Sequence, residues 1–333
     1  MRFLVTGASG FIGGHLCRYL LDAGHVVRVI APPDAEQAPG RSTPGRLECA
    51  SPPDAPTKPD AWREACQAVD VVFHLAGRAH RGDSRQPEAL AAYRRANVDL
   101  VAAVAGAAHA AGVGRFVFAS SVTVYGEASP PGAAWREDSP LAPSPQDFYT
   151  RSKQEAEALL HTPPFRALAP VIVRLPLVYG PGVKGNMRAL LRLVDSGLPL
   201  PLAGIENQRS LVGIDNLAHF LTLAAACPQA AGATLLVSDR EDVSTPALIR
   251  AIAQGLGKQA RLFRATGLLR LANGLPWVQK RYRKLAGDFR IDPSRSCDLL
   301  HWRPETRFGT GVARMCAEYR RQSSCESNGS STS

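Results

Sequence analysis

Apolar positions along the chain fall into two kinds of stretch. Some are short β-branched runs, and in others apolar residues recur every three or four positions. The runs read as strands buried on both faces, and the recurring stretches as amphipathic helices. Residues 2 to 6 are the first strand candidate, followed by a glycine-rich turn and a helix through about Ala23. "HVVRVIA" (25 to 31) reads as a second strand, and the Pro-, Ser-, Ala- and Asp-rich stretch after it holds a short strand candidate at 47 to 50. "AWREACQAV" reads as a helix, "DVVFHLAG" (70 to 77) as a buried strand and residues 87 to 112 as a long Ala-rich helix. "RFVFASS" (115 to 121) is a further strand, and a helix beginning near Tyr149 leads to "APVIVRLP" (169 to 176). Strands alternating with helices in this way predict an α/β fold with a doubly wound parallel sheet.

The pattern loosens beyond Pro176. Helices near 185 to 196 and 215 to 226 flank an irregular stretch, "ATLLVSD" (233 to 239) reads as a strand, and "TPALIRAIAQGLG" as a capped helix. The expected division is a larger domain over 1–176, with returning segments near 211–240, and a smaller C-terminal lobe over 177–319. The polar, small-residue segment 320–333 is expected to be a disordered tail. The chain contains no internal repeat.

Composition narrows the class. At 333 residues, with 45% hydrophobic content, the chain can bury a large core. It has no apolar run long enough to span a bilayer, and no secretory leader is expected because it opens directly on "RFLVTG". Seven scattered cysteines, with no Cys-x-x-Cys, fit free thiols in a reducing cytoplasm and give no metal-ligand pattern. The net charge of +10 is uneven, since residues 261 to 290 hold eight Lys or Arg and one acid. Such a segment attracts anions or is simply a solvated basic face. No nucleic-acid motif accompanies it, and Gly274 and Pro276 interrupt the Leu268, Leu269, Leu271 cluster that an interfacial helix would need.

Candidate chemistry begins at "VTGASGFIGGHL", which sets Gly7, Gly10 and Gly13 between the first strand and the first helix. Glycine permits the tight turn and lets backbone approach a phosphate, while the helix N-terminus offers N–H donors to a pyrophosphate. A tight turn that needs glycine for its own sake is the plainer alternative. The strand–turn–helix context favours a dinucleotide site on a Rossmann-type sheet. Further on, "FYTRSK" places Tyr149 and Lys153 four apart, on one helix face. A phenol beside an ammonium can serve as a tuned acid–base, yet the spacing by itself is also that of an ordinary solvated helix face.

Taken together, "TGASGFIG", "HLAG", "SSVTVYG", "YTRSK" and "RLPLVYGPG" are similar, in order and spacing, to the extended branch of the short-chain dehydrogenase/reductase superfamily. That branch comprises sugar-nucleotide epimerases, dehydratases and reductases. The resemblance runs from Met1 to about Tyr319. It implies an enzyme with Ser121, Tyr149 and Lys153 as catalytic residues: Tyr149 the acid–base, Lys153 lowering its pKa and binding the nicotinamide ribose, Ser121 holding the substrate oxygen. A non-catalytic dinucleotide sensor on the same fold is the competing class, and the presence of all three residues weighs against it.

The resemblance further implies a coenzyme, NAD or NADP, held by Gly7, Gly10, Phe11, Ile12, Gly13, Leu75, Ala76, Gly77, Tyr149, Lys153 and Pro176. The adenosine end is atypical: Ala31, Pro32 and Pro33 follow the second strand, Asp34 comes late, and Cys49, Ala50 and Ser51 stand where the family has an Asp. The implied substrate is a UDP-sugar, met by Ser121, Thr123, Asn186 and Arg209, with His80 in a lesser role. Asn186 could equally be a helix N-cap and Arg209 a surface ion pair. Val122 and Thr123 replace the Asp-Glu pair of the dehydratases, Leu177 replaces an epimerase Asn, and Leu285-Ala286-Gly287-Asp288 replaces their Arg-Pro-Gly-Asp. The chain thus looks most like reductases of UDP-4-keto-6-deoxy-N-acetylhexosamines, which serve surface polysaccharide synthesis, with UDP-glucose 4-epimerases as near neighbours. A cytoplasmic protein and a homodimer are expected.

Overall fold

The computed structural model describes residues 1–30, 44–79, 86–264 and 286–329. Its main sheet has seven parallel strands in the order β3-β2-β1-β4-β5-β6-β9. These are β1 (Arg2–Thr6), β2 (Val26–Ile30), β3 (Arg46–Ala50), β4 (Val71–His74), β5 (Arg115–Ser121), β6 (Val171–Leu175) and β9 (Thr234–Leu236). A small parallel pair, β7 (Leu177–Tyr179) and β8 (Leu211–Gly213), stands beside it. Strand order reverses between β1 and β4, which opens the crevice where open α/β sheets take ligands.

Helices cover both faces because successive strand residues point to opposite sides. On one face, Phe3, Val5, Phe73 and Val117 pack against Leu16 and Leu20 of α1 (Phe11–Asp22) and Phe220 and Leu221 of α7 (Ile214–Ala226). On the other, Leu4, Val72, Phe116 and Phe118 meet Val101 and Val104 of α4 (Leu100–Ala110) and Ala156 and Leu160 of α5 (Phe148–Leu160). A third core joins Met187 and Leu191 of α6 (Gly185–Asp195), Ile249 and Ile252 of α8 (Thr245–Gly255) and Val312 and Met315 of α10 (Phe308–Gly329). Tyr179 ties this lobe to the chain's return, its hydroxyl donating to Asp239 at 2.7 Å. α9 (Ser294–Leu300) closes back on the first core through Cys297 and Leu300.

Several expectations are corrected. The helix read at "AWREACQAV" is two short turns, a 3₁₀ turn Pro59–Trp62 and α2 (Arg63–Cys66). The helix read over 87–112 is not uniform: after α3 (Leu90–Arg94) a π-helical turn, Arg95–Asp99, interrupts it. Asn97 lies in that turn and uses its side chain for long-range bonds described below. Residues 320–329, expected in a disordered tail, belong to α10, where Arg321 pairs with Glu318 and Ser323 donates to the Tyr319 carbonyl at 3.1 Å. Local pairs of this kind support a helix whose composition reads as disordered. His80, the Ala31–Asp34 stretch and most of the basic 261–290 segment, including Leu268, Leu269, Leu271, Gly274, Pro276 and Leu285, lie outside the described residues. No helix among the described residues is long and apolar enough to cross a membrane.

Candidate active site

The glycine turn leaves β1 and enters α1 at the strand-order reversal. Gly7 has φ +75°, and a Cβ there would lie 2.7 Å from the Ala76 nitrogen, so glycine lets the turns after β1 and β4 touch. A Cβ on Gly13 would stand 2.1 Å from the Gly7 carbonyl oxygen, which fixes how closely α1 docks on the turn. Gly10 is the helix N-cap and brings no side-chain cap. The first N–H groups of α1 are therefore left to an external acceptor, as a pyrophosphate requires. Leu75, Ala76 and Gly77 form the facing wall, with Ala76 donating to Thr6 Oγ1 at 3.2 Å. Phe11 packs against both the sheet core and the smaller lobe, Ile12 against the sheet core, and Pro176 is buried between β6 and β7. This cradle fits a dinucleotide. β3 ends at Cys49 and Ala50, with Cys49 exposed.

The chemical groups gather where β5 ends and α5 begins. Asp147 caps α5, accepting from the Thr150 N–H at 3.3 Å, and so sets where Tyr149 emerges. Tyr149 is half-buried. Burial pushes its phenol above the ordinary tyrosine value, the Ser121 hydroxyl opposes that rise, and Asp147 and Tyr93 add to it. The Ser121 hydroxyl lies 2.9 Å from that of Thr123, which accepts from Thr150 Oγ1 at 3.1 Å. Ser121, Thr123 and Tyr149 are thus brought together. Ser120 faces away and bonds Glu157.

Lys153 is buried one helical turn on from Tyr149. Its ammonium donates to the Ala119 carbonyl at 2.8 Å and sits 4.6 Å from the Phe118 ring centre. Burial draws its pKa down to about 8, with Glu157 opposing. Beneath lies His74, fully buried, its Nδ1 3.2 Å from Thr6 Oγ1 and its Nε2 without a partner among the described residues. Burial first, and Lys153 second, lower its pKa to about 3, so it is neutral.

Sequence reasoning missed three contributors. Asn97 accepts from the Arg78 N–H at 2.7 Å and donates to the Arg78 carbonyl at 3.1 Å and to Ser152 at 2.8 Å, so it pins the β4 turn to α5. Its signal was a lone Asn within an Ala-rich run. Arg174 on β6 grips Glu157 at 2.7 Å, with both side chains buried, and donates to Tyr125 at 2.6 Å. Thr150 is the third, and nothing in its sequence setting marked it.

The implied substrate residues lie apart from one another in the chain. Arg209 is half-buried, bridged by backbone to Val243 and Phe289, with its guanidinium 3.5 Å from the Gly287 carbonyl. Burial lowers its pKa and Asp288 opposes this. Asn186 is exposed in the first turn of α6, and the cap position belongs to Lys184, so Asn186 is not the N-cap. Leu177 is 37% exposed at the start of β7.

Comparison with known proteins agrees with this geometry. The model of the NAD dependent epimerase/dehydratase family matches residues 3–236. UDP-glucose 4-epimerase of Vibrio cholerae is 34% identical over 306 residues, covering 90% of this chain and 90% of that protein. 2-Alkyl-3-oxoalkanoate reductase of Stenotrophomonas maltophilia is 30% identical over 267 residues, covering 77% of this chain and 76% of the relative. Among solved structures, UDP-glucuronic acid 4-epimerase from Bacillus cereus in complex with NAD matches with a TM-score of 0.74 at 23% identity, over 96% of this chain and 99% of that one, a likeness of fold. With the family model matched over residues 3–236 and a relative 34% identical across 90% of both chains, this chain belongs to the NAD-dependent epimerase/dehydratase family.

Proposed function

We propose that the protein is a sugar-nucleotide reductase, reducing the 4-keto group of a UDP-4-keto-6-deoxy-hexosamine. When bound in the cradle of Gly7, Gly10 and Gly13, the nicotinamide coenzyme supplies the hydride. Tyr149 gives its phenolic proton to the ketone oxygen as the carbon accepts hydride, and Ser121 donates a hydrogen bond to the oxygen that gains charge. Lys153 fixes the coenzyme ribose from the other side. Arg209 grips the diphosphate, since a guanidinium matches phosphate oxygens in a bidentate manner, and Asn186 meets the nucleotide at the start of α6.

The observation that carries this reading is at positions 122 and 123. Eliminating water from a sugar needs an acid–base pair there, but Val122 is buried and the Thr123 hydroxyl is engaged by Ser121 and Thr150. Chemistry confined to hydride and one proton follows. Two further features favour reduction over epimerisation. Gly287 and Asp288 serve to hold the Asn207–Arg209 segment, Asn207 donating to the Gly287 carbonyl at 3.1 Å and Gln208 to Asp288 at 2.7 Å. Leu177 presents an apolar side chain at the lobe boundary.

The Vibrio relative supports a second reading, UDP-hexose 4-epimerisation. Coenzyme stoichiometry separates the two. An epimerase returns hydride to the same carbon and consumes no coenzyme, whereas a reductase consumes one reduced coenzyme per turnover. We expect the protein to purify largely free of NAD and to oxidise NADH or NADPH only when given a UDP-4-keto-6-deoxy sugar, with a Tyr149→Phe control slowed by about 100- to 10,000-fold. Bound NAD together with interconversion of UDP-hexoses, without added coenzyme, establishes the epimerase instead.

A further inference from the structure

We propose that His15 is a positioning residue that fastens the smaller lobe to the coenzyme helix: its ring donates from α1 to the Pro181 carbonyl and so fixes where α6 begins. This rests on the reading of Asn186, in the first turn of α6, as a contact of the substrate's nucleotide. His15 is half-buried, two positions after Gly13 and one helical turn after Phe11. Its Nε2 lies 2.9 Å from the Pro181 oxygen. A carbonyl can only accept, so Nε2 carries the hydrogen. The ring meets that of Phe11 edge-on, with 5.5 Å between centres. Phe11 itself packs on both the sheet core and the core of the smaller lobe. Two side chains on one face of α1 thus bridge the lobes, Phe11 by packing and His15 by a directed bond.

What the bond controls follows from its two ends. The α1 end is fixed, because Leu16, Cys17, Leu20 and Leu21 are all buried in the sheet core. The other end belongs to the segment between β7 and α6. Upstream, Tyr179 is tied to Asp239, and in the middle Val183 is buried in the core of the smaller lobe. Gly182 and Gly185 give the segment slack: both have positive φ, 76° and 63°, and a Cβ on either would meet nothing within 4 Å. Such a stretch keeps one shape only where neighbours hold it. Val183 moves with the lobe, whereas the Pro181 carbonyl is held from α1. Gly185 opens α6 and Asn186 follows it, so a displacement of the segment reaches Asn186 directly. His15 therefore sets the spacing between the start of α1, which faces the coenzyme pyrophosphate, and the start of α6, which meets the substrate's nucleotide.

The test is His15→Phe, which keeps a ring against Phe11 but loses the donor, beside His15→Gln, whose amide restores a donor at similar reach. Calorimetry measures UDP and, separately, NADH on each full-length protein, and hydrogen exchange follows the peptide spanning residues 180–187. In the Phe variant UDP is expected to bind about two- to tenfold more weakly, and the amides of the segment to exchange faster. NADH affinity stays at the wild-type value, which a general loosening of the fold would not leave alone. The Gln variant recovers both UDP affinity and protection. A Phe variant with wild-type exchange, or with wild-type UDP affinity, overturns the proposal. So does a Gln variant displaced as far as Phe, or an equal loss of UDP and NADH, which marks a disturbed α1 instead. If the Phe variant does not fold, His15→Asn, polar but too short to reach Pro181, is held to the same outcomes. Faster exchange in the variant, with no UDP binding even to the wild type, upholds the fastening by His15 and removes the UDP reading, so the two fail separately.

Discussion

Gly10 has ordinary extended dihedrals, φ −78° and ψ 168°, which any residue can adopt. Its Cβ would lie 3.0 Å from the Gly7 carbonyl, a contact relieved by a small shift. Gly10→Asp is therefore expected to fold, while its carboxylate caps α1 and repels the phosphate that would otherwise sit there. Titration of NADH and NADPH by calorimetry should find no binding, and wild-type affinity in the folded variant would move the coenzyme elsewhere. At this scale the sequence was most informative where a backbone constraint is local. Gly7 and Gly13 follow from a turn between strand and helix and could be read directly, whereas Ser121 was picked over its neighbour Ser120 only through the family resemblance. Thr150 could not be read, because its partner Thr123 lies 27 positions away and is reached only after β5 and α5 dock. Asn97 was equally hidden, since its three bonds reach the β4 turn and α5 rather than its own helix.

The element that organises the site is α5, which carries Tyr149, Thr150 and Lys153 on its first turns and is fastened to the sheet by Glu157. That carboxylate accepts from Arg174 Nε and Nη2 and from Ser120, so one side chain ties the helix to both β5 and β6. Removing one partner of a buried pair strands the other. Glu157→Ala is expected to lower stability by about 3–5 kcal/mol, read from urea unfolding. It also removes the charge that opposes the lowering of the Lys153 pKa. A loss below about 1 kcal/mol, the range of an exposed pair, would show that the Arg174 charge is relieved by something other than Glu157. The helix itself was legible from its apolar spacing. Its clamp was not, because Glu157 on α5 and Arg174 on β6 stand 17 positions apart and meet only once β5 and β6 pair in the register Ser120↔Arg174 and α5 docks on them.

For the whole molecule, acid stability should depend on His74, which joins the β1–β4 seam to the core. In the unfolded chain it takes a proton near 6.5, and in the folded protein not until about 3. The unfolded state therefore binds the extra proton as pH falls below about 6.5, and stability should drop by about 1.4 kcal/mol per pH unit until that lower limit. His74→Gln removes this slope, and urea unfolding at several pH values between 7 and 4 measures it. Equal slopes in the two proteins would place the acid sensitivity elsewhere. The global topology was legible as alternation of strand and helix, but the return of the chain was seen only in outline. β9 is the last strand of the sheet and pairs with β6, its residues Thr234–Leu236 beside Ile172–Arg174. That has a consequence for synthesis. As the chain leaves the ribosome, six strands can assemble while the outer edge of β6 stays bare, and a bare apolar edge invites pairing with another nascent chain. Arg174 lies on that temporary edge, and a charge that must turn inward to find Glu157 discourages a stranger from docking before β9 arrives.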